Sequence, residues 1–88
     1  MPKIIVYSAT GCYYCDQVKE LFQRAQLEVE YLTKDTHFTR EEFIRKFPDA
    51  AGYPQVIIDG ENIGGLVETA TYLVQNKYII PERKGFNG

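Results

Sequence analysis

The chain has 88 residues, of which 44% are hydrophobic and 14% aromatic, enough for one small domain with a single core. Its 10 basic and 12 acidic residues are interspersed and give a formal net charge of −2, so nothing electrostatic favours nucleic acid or an anionic membrane as a partner. No apolar run approaches the roughly 20 residues of a membrane span, and the first residues lack a signal-peptide pattern, so we expect a cytoplasmic protein.

The first half of the chain alternates between strand-like and helical patterns. Residues 3–8 are a β-branched and aromatic run that predicts a buried strand. Apolar residues at helical spacing then predict a helix over about Tyr13–Ala25. Residues 28–33 alternate between polar and apolar side chains, which predicts a strand with one solvent-exposed face. Residues 39–42 have the form of a capping box and predict a second helix, which Pro48 stops.

The second half begins with a predicted hairpin and ends with a helix. Residues 54–59 read as a third strand, and a two-residue turn at Asp59-Gly60 leads to a short fourth strand at Glu61–Gly64. After Gly65 the pattern predicts a last helix. Its expected buried stripe consists of Val67, Ala70, Leu73 and Val74.

The predicted order is β-α-β-α-β-β-α, an α/β domain at residues 1–80 with a four-stranded mixed sheet. The first two strands are joined by a helix, so we expect them to be parallel with a right-handed crossover. The last two strands should form an antiparallel hairpin. Residues 81–88 have no hydrophobic periodicity and are expected to form a short frayed tail.

The only two cysteines, Cys12 and Cys15, lie at the junction between the first strand and the first helix. Backbone N–H groups and the positive end of the helix dipole would stabilise a thiolate at Cys12. Lys19, one turn beyond Cys15, would add a positive field. Cys15 lies one turn further into the helix and should be more covered. The pair predicts thiol–disulfide exchange in which Cys12 attacks and Cys15, or an outside thiol, resolves the mixed disulfide.

Two other interpretations of the cysteines are open. Both could be small buried hydrophobic residues, although a C-x-x-C pair at a strand-to-helix junction is typical of a redox centre. A zinc site would need four ligands, and only His37 could add a nitrogen donor. We therefore expect no metal.

Two further motifs have a functional and a plain structural interpretation. Pro54 at the start of the third strand suggests a cis peptide bond that turns the backbone of Tyr53 toward a neighbouring site, or else an ordinary edge-strand start. Gly64-Gly65 would let a ligand approach the N–H groups of the last helix, or would form a simple turn.

Together, in this order and at these separations, the three motifs resemble those of the glutaredoxin family, and the likeness extends over residues 3–78. The C-P-Y-C of the family is similar to C-Y-Y-C at residues 12–15, its T-V-P to G-Y-P at residues 52–54, and its G-G-x-x-D to G-G-L-V-E at residues 64–68. The W-C-G-P-C of thioredoxins is absent.

The resemblance implies a thioredoxin-like fold and a glutathione-disulfide oxidoreductase. Cys12 would be the nucleophile that becomes glutathionylated, and Cys15 would resolve protein disulfides. Glutathione would be the co-substrate, and disulfide-containing clients such as ribonucleotide reductase would be the partners of a monomeric enzyme. The residues that the resemblance assigns to the glutathione groove are Tyr14, Tyr53, Pro54, Gly65, Leu66, Val67 and Glu68.

Three departures from the family pattern predict weaker glutathione binding. Tyr13 replaces the usual proline between the cysteines. Ala9 stands where many members have a cation for the glycyl carboxylate, a role that Lys34 or Arg40 could assume. Val67 precedes Glu68 in place of the commoner small or acidic residue before aspartate.

The departures keep two alternative functions open. The first is a glutathione-ligated 2Fe–2S cluster carrier, because loss of the active-site proline accompanies cluster binding in the family. The second is a glutaredoxin-like redoxin that thioredoxin reductase reduces, which the absent cation at Ala9 favours. The sequence also leaves open whether Tyr7, Tyr13 and Tyr14 form a docking surface or pack in the interior.

Overall fold

The computed structural model of the chain describes residues 1–80, and the predicted tail at residues 81–88 lies outside them. Within this range the predicted order of elements is confirmed, with the first two strands beginning one and two residues later than expected. No helix of residues 1–80 is long and apolar enough to cross a membrane. The elements are β1 (Ile4–Ser8), α1 (Tyr13–Ala25), β2 (Glu30–Thr33), α2 (Arg40–Lys46), β3 (Gln55–Ile58), β4 (Glu61–Gly64) and α3 (Leu66–Gln75).

The strands of residues 1–80 form one mixed sheet in the order β2-β1-β3-β4. β1 runs parallel to β2, with Val6 opposite Tyr31, and antiparallel to β3, with Val6 opposite Val56. β3 and β4 form the antiparallel hairpin predicted from Asp59-Gly60. The four-stranded mixed sheet is therefore confirmed, and the two strands at its centre are β1 and β3.

The main core lies on one face of this sheet. Val6 of β1 and Val56 of β3 are fully buried there, and Val18 and Phe22 of α1 and Leu73 of α3 pack in the same cluster. Because side chains alternate between the two faces of a strand, α1 and α3 must lie on the same side of the sheet.

The opposite face carries an aromatic cluster, in which Phe38, Phe43 and Phe47 are buried and Tyr7 and Tyr53 pack against them. The ring centroid of Tyr7 lies 5.1 Å from that of Phe38 and 5.0 Å from that of Phe47, both in edge-to-face geometry, an arrangement that the ring quadrupoles favour. Since Phe43 belongs to α2, this helix covers the second face. β1 is thus enclosed on both sides.

The buried stripe of α3 differs from the predicted one at Val67. This residue is 71% exposed, whereas Thr69 and Leu73 are fully buried. Val67 precedes Leu73 by six residues, which at 3.6 residues per turn places it about 120° around the helix from the core-facing side. The prediction that Val67 is a core residue was therefore wrong.

We expect Val56→Ala to lower the free energy of unfolding by about 2–3 kcal/mol, because two buried methyl groups are lost and a cavity is left. The exposed Val67 provides a matched control, and Val67→Ala should change stability by less than about 0.5 kcal/mol. Urea unfolding monitored by circular dichroism would measure both. A similar loss in the two variants would contradict the assignment of the core.

Candidate active site

The loop between β1 and α1 places the cysteines at the start of the helix. Gly11 has φ of 74°, in the left-handed region where a side chain would be strained. Cys12 then has extended backbone angles, with φ of −95° and ψ of 111°, and is the N-cap residue of α1. The short loop therefore places Cys12 where the unpaired N–H groups of the helix converge.

Cys12 and Cys15 form a disulfide, with their Cα atoms 5.2 Å apart. The backbone N–H of Cys15 donates to the Sγ atom of Cys12 at 3.1 Å, and the N–H of Asp16 donates to the Cys12 carbonyl at 3.2 Å. Cys12 is half-buried, whereas Cys15 is only 6% exposed. The expected difference in coverage is confirmed, while the exchange roles of the two thiols stay predictions.

The helix start can stabilise negative charge on the sulfur of Cys12. In the reduced protein, an N–H donor and the positive end of the dipole of α1 would both act on the Cys12 thiolate. Cys15 differs from Cys12 in two respects: its side chain is buried, and its own N–H donates to the Cys12 sulfur. This asymmetry favours Cys12 as the nucleophile.

Lys19, predicted to stabilise the thiolate, lies on the exposed side of α1. Its Nζ atom is 5.9 Å from the centroid of the Tyr31 ring in β2. Burial raises the pKa of the Tyr31 phenol, so Lys19 faces a neutral aromatic ring near neutral pH. A contribution of Lys19 to the thiolate remains a prediction.

The peptide bond between Tyr53 and Pro54 is cis, as predicted. Pro54 is buried, and the ring of Tyr53 packs against Phe43 at 4.3 Å between centroids. A Cβ atom built on Gly65 would lie 3.6 Å from the carbonyl oxygen of Pro54. The second and third motifs of the sequence are therefore neighbours in the fold.

The N-terminus of α3 is capped by its own glutamate. The N–H of Gly65 donates to Oε1 of Glu68 at 3.0 Å. Gly64 has φ of 123°, and a Cβ atom there would lie 3.0–3.2 Å from three side-chain atoms of Glu68. The glycine is thus needed for this close approach, and the N–H groups of Leu66 and Val67 at the helix start have no partner within the helix.

A cleft of about 830 Å³ lies between the segment that follows α2 and the start of α3. Tyr14 connects it to the cysteine pair, because it belongs to the first turn of α1. The structure thus brings together every residue that the family resemblance assigned to glutathione, although binding itself stays a prediction. These lining residues are Tyr14, Tyr53, Pro54, Gly65, Leu66, Val67 and Glu68.

Several polar residues of the cleft were missed in the sequence. Gln55 is 6% exposed, and its side-chain N–H donates to the side-chain oxygen of Asn62 across the hairpin. Lys46 carries the only positive charge among the described residues that line the cleft, where the acidic side chains are Asp49 and Glu68. The predicted hairpin could have suggested the Gln55–Asn62 pair, but no sequence pattern distinguished Lys46 from other helix-surface lysines.

The two cations suggested as replacements at Ala9 are not among the residues that line the cleft. The Nζ atom of Lys34 forms an ion pair with Asp35 at 3.1 Å. Nearby, His37 accepts a hydrogen bond at Nδ1 from the N–H of Thr33 at 2.9 Å. In the described part of the chain, no group of three or more His, Cys, Asp or Glu residues is positioned to hold a metal ion.

Comparison with known proteins assigns the family. The sequence pattern of the glutaredoxin family matches residues 4–63. Glutaredoxin 1 of Rickettsia prowazekii (strain Madrid E) is 33% identical over 67 residues, which cover 70% of this chain and 67% of the relative. Monothiol glutaredoxin-S12, chloroplastic, of Arabidopsis thaliana is 32% identical over a gapped alignment of 93 positions that covers 97% of this chain. This chain spans only 51% of that plant relative.

Solved structures identify the fold. The crystal structure of Glutaredoxin 1 from Francisella tularensis complexed with cacodylate superposes with a TM-score of 0.74 at 23% identity, over 90% of this chain and 100% of that one. A buckwheat glutaredoxin–glutathione complex has a TM-score of 0.69 at 23% identity, over 91% and 74% of the two chains. The fold is the thioredoxin-like fold of glutaredoxins. The chain belongs to the glutaredoxin family, whose members are generally thiol–disulfide oxidoreductases.

In the reduced protein, iodoacetamide should alkylate Cys12 at least about tenfold faster than Cys15 at neutral pH, because Cys12 is more accessible and lies at the helix start. Peptide mapping by mass spectrometry at short reaction times would measure the ratio. The Cys12→Ser variant is the control, since serine is also a favoured N-cap residue and should preserve the helix. Equal modification of the two thiols would contradict the assigned asymmetry.

Proposed function

We propose that the protein is a glutathione-dependent thiol–disulfide oxidoreductase that reduces protein disulfides and glutathione mixed disulfides in the cytoplasm. It would act as a monomer, with disulfide-containing proteins such as ribonucleotide reductase as clients. The observation that carries the proposal is the position of the Cys12–Cys15 disulfide at the N-cap of α1, beside a cleft lined by the predicted glutathione residues.

The dithiol reaction needs both cysteines. The Cys12 thiolate attacks one sulfur of a client disulfide, forming a Cys12–client bond and expelling the other client sulfur as a thiolate. The Cys15 thiolate then attacks the sulfur of Cys12, releasing the reduced client and leaving the Cys12–Cys15 disulfide. Two glutathione molecules return the pair to the dithiol and are oxidised to glutathione disulfide.

The cleft offers complementary groups for an extended peptide such as glutathione. The backbone of Tyr53, whose ring is held in the aromatic cluster, would pair with the cysteinyl portion in the manner of an added strand. The N–H groups of Leu66 and Val67 at the start of α3 would receive the γ-glutamyl carboxylate. Glu68 would then face the γ-glutamyl amino group, which carries the opposite charge.

Lys46 supplies the cleft with a positive charge that could not be predicted from the motifs of the family. It lines the cleft, and its Nζ atom lies 5.9 Å from the ring centroid of the neighbouring Phe47. Glutathione carries two carboxylates, and the start of α3 can take only one of them. With Ala9 in place of the usual cation, Lys46 is the residue of the cleft that can attract the other.

The test of the proposed function is the reduction of a glutathione mixed disulfide with two alternative electron donors. We expect rapid turnover with glutathione and glutathione reductase, and little with thioredoxin reductase, because the cleft offers groups for both ends of glutathione. NADPH consumption would measure both reactions. Turnover with thioredoxin reductase alone would contradict the glutathione dependence while keeping the exchange chemistry.

Serine variants should separate the roles of the two cysteines. Cys12→Ser should abolish turnover, because the remaining thiol, Cys15, is buried and cannot reach a substrate disulfide. Cys15→Ser should keep most of the activity on glutathione mixed disulfides, where an outside thiol resolves the intermediate, and lose reduction of intramolecular protein disulfides. If Cys15→Ser lost both activities equally, the assigned order of attack would be wrong.

Lys46→Gln should raise the KM for glutathione up to about fivefold with little change in kcat, the range expected for one solvent-screened ion pair. The effect should shrink at high salt, because ions screen exposed charges. Lys3→Gln, which removes an exposed lysine just before β1, is the charge-matched control. An unchanged KM in Lys46→Gln would show that the second carboxylate is held elsewhere.

A further inference from the structure

The two residues between the cysteines place an aromatic pair on the protein surface. Tyr13 is 68% exposed and Tyr14 57% exposed, and their rings meet edge to face with centroids 5.5 Å apart. Tyr7, by contrast, packs in the aromatic cluster. Of the three tyrosines whose role the sequence left open, two therefore remain available to a partner beside the disulfide.

The two exposed rings have different surroundings. Tyr14 lines the cleft together with Val67, which is itself 71% exposed. Tyr13 is not among the described residues that line the cleft, although it directly follows Cys12. An apolar surface therefore continues from the cleft along the start of α1 to a position outside it.

A glutathione mixed disulfide consists of glutathione and a client chain, and each half needs its own binding site on the protein. With glutathione in the cleft, as the proposed function requires, the chain on the other sulfur must lie outside the cleft and next to Cys12. Tyr13 lies there, and an exposed tyrosine removes a large apolar area from water on binding at little entropic cost.

We propose that Tyr13, supported by the ring of Tyr14, binds the polypeptide half of a glutathione mixed disulfide and selects clients with an aromatic side chain next to the modified cysteine. This inference rests on the proposed function.

The Cys12 thiolate attacks the glutathione sulfur, so a Cys12–glutathione bond forms as the bond to the client sulfur breaks. The client leaves as a thiolate that takes a proton from water, and glutathione then reduces Cys12. Tyr13 touches the departing chain and not the reacting atoms.

The size of the surface suits a transient contact. Two tyrosines at these exposures offer on the order of 250 Å², compared with roughly 800 Å² per partner in a stable complex. A second copy of the chain would need a larger interface to remain bound. A short peptide segment that binds, reacts and leaves fits the available area.

The test compares two glutathionylated peptides of equal length and charge, one with phenylalanine on both sides of the cysteine and one with serine. With glutathione, glutathione reductase and NADPH, the protein should prefer the phenylalanine peptide about fivefold in kcat/KM, mainly through KM. Tyr13→Ser should reduce this preference to less than about twofold, whereas Tyr13→Phe should retain it. All variants should turn over the mixed disulfide of glutathione and 2-mercaptoethanol at the wild-type rate, because that substrate lacks a peptide.

Tyr78→Ser is the matched control, since Tyr78 is 37% exposed and follows the C-terminal end of α3. Its peptide preference should equal that of the wild type. Equal kcat/KM for the two peptides in the wild type, or a preference that survives in Tyr13→Ser, would overturn the inference. Loss on all three substrates in Tyr13→Ser would also overturn it and assign Tyr13 to the helix start.

Two further outcomes separate this inference from others. Normal turnover of the small mixed disulfide without a peptide preference would contradict the docking role alone, whereas no turnover with glutathione would contradict the proposed function and this inference together. A dimer in analytical ultracentrifugation that Tyr13→Ser abolishes would assign the surface to a second copy of the chain and overturn the proposal.

Discussion

The chemistry of the site depends on the way the N-terminus of α1 is fixed at the end of β1. Val18 and Phe22 anchor the helix in the main core, and the short loop through Gly11 places Cys12 at the N-cap. Backbone N–H groups and the helix dipole at this position are able to stabilise a thiolate without a charged side chain. Cys15, one turn further along the same helix, is buried. The two cysteines therefore differ in exposure although their side chains are chemically identical.

The cleft depends on a second constraint, the burial of both faces of the central strands. The antiparallel pairing of β1 with β3 brings the segment before β3 next to the cysteine loop. The hairpin from β3 to β4 then returns the start of α3 to the same place, where Gly65 meets the carbonyl of Pro54. Three segments that are far apart in sequence thereby form one cleft, and the aromatic cluster holds the ring of Tyr53 behind it.

The charges of the cleft are distributed differently from those of the family pattern. Ala9 removes a cation next to the cysteines, and Lys46 adds one near the end of α2. Glu68 caps the helix that is expected to bind a carboxylate, so a ligand must share or displace this contact. The exposed aromatic pair at Tyr13 and Tyr14 adds apolar surface where the family commonly has a proline and one tyrosine. This added aromatic surface supports the inference that the client contributes to recognition.

The sequence by itself determined the elements, the family and the residues of the three motifs. Hydrophobic period, turn residues and capping patterns are local properties, which is why the element order, the hairpin and the N-cap of α2 at Thr39 could be predicted. The side of a helix that faces the core depends on the angle at which the helix docks, which is not a local property. Val67 was therefore predicted to be buried, whereas it is exposed. Only the tertiary structure decided that β1 lies beside β3, that Lys46 and the Gln55–Asn62 pair line the cleft, and that Tyr7 is packed while Tyr13 is exposed. These are contacts between segments distant in sequence, and they are selected by the packing of the whole core, not by any local pattern.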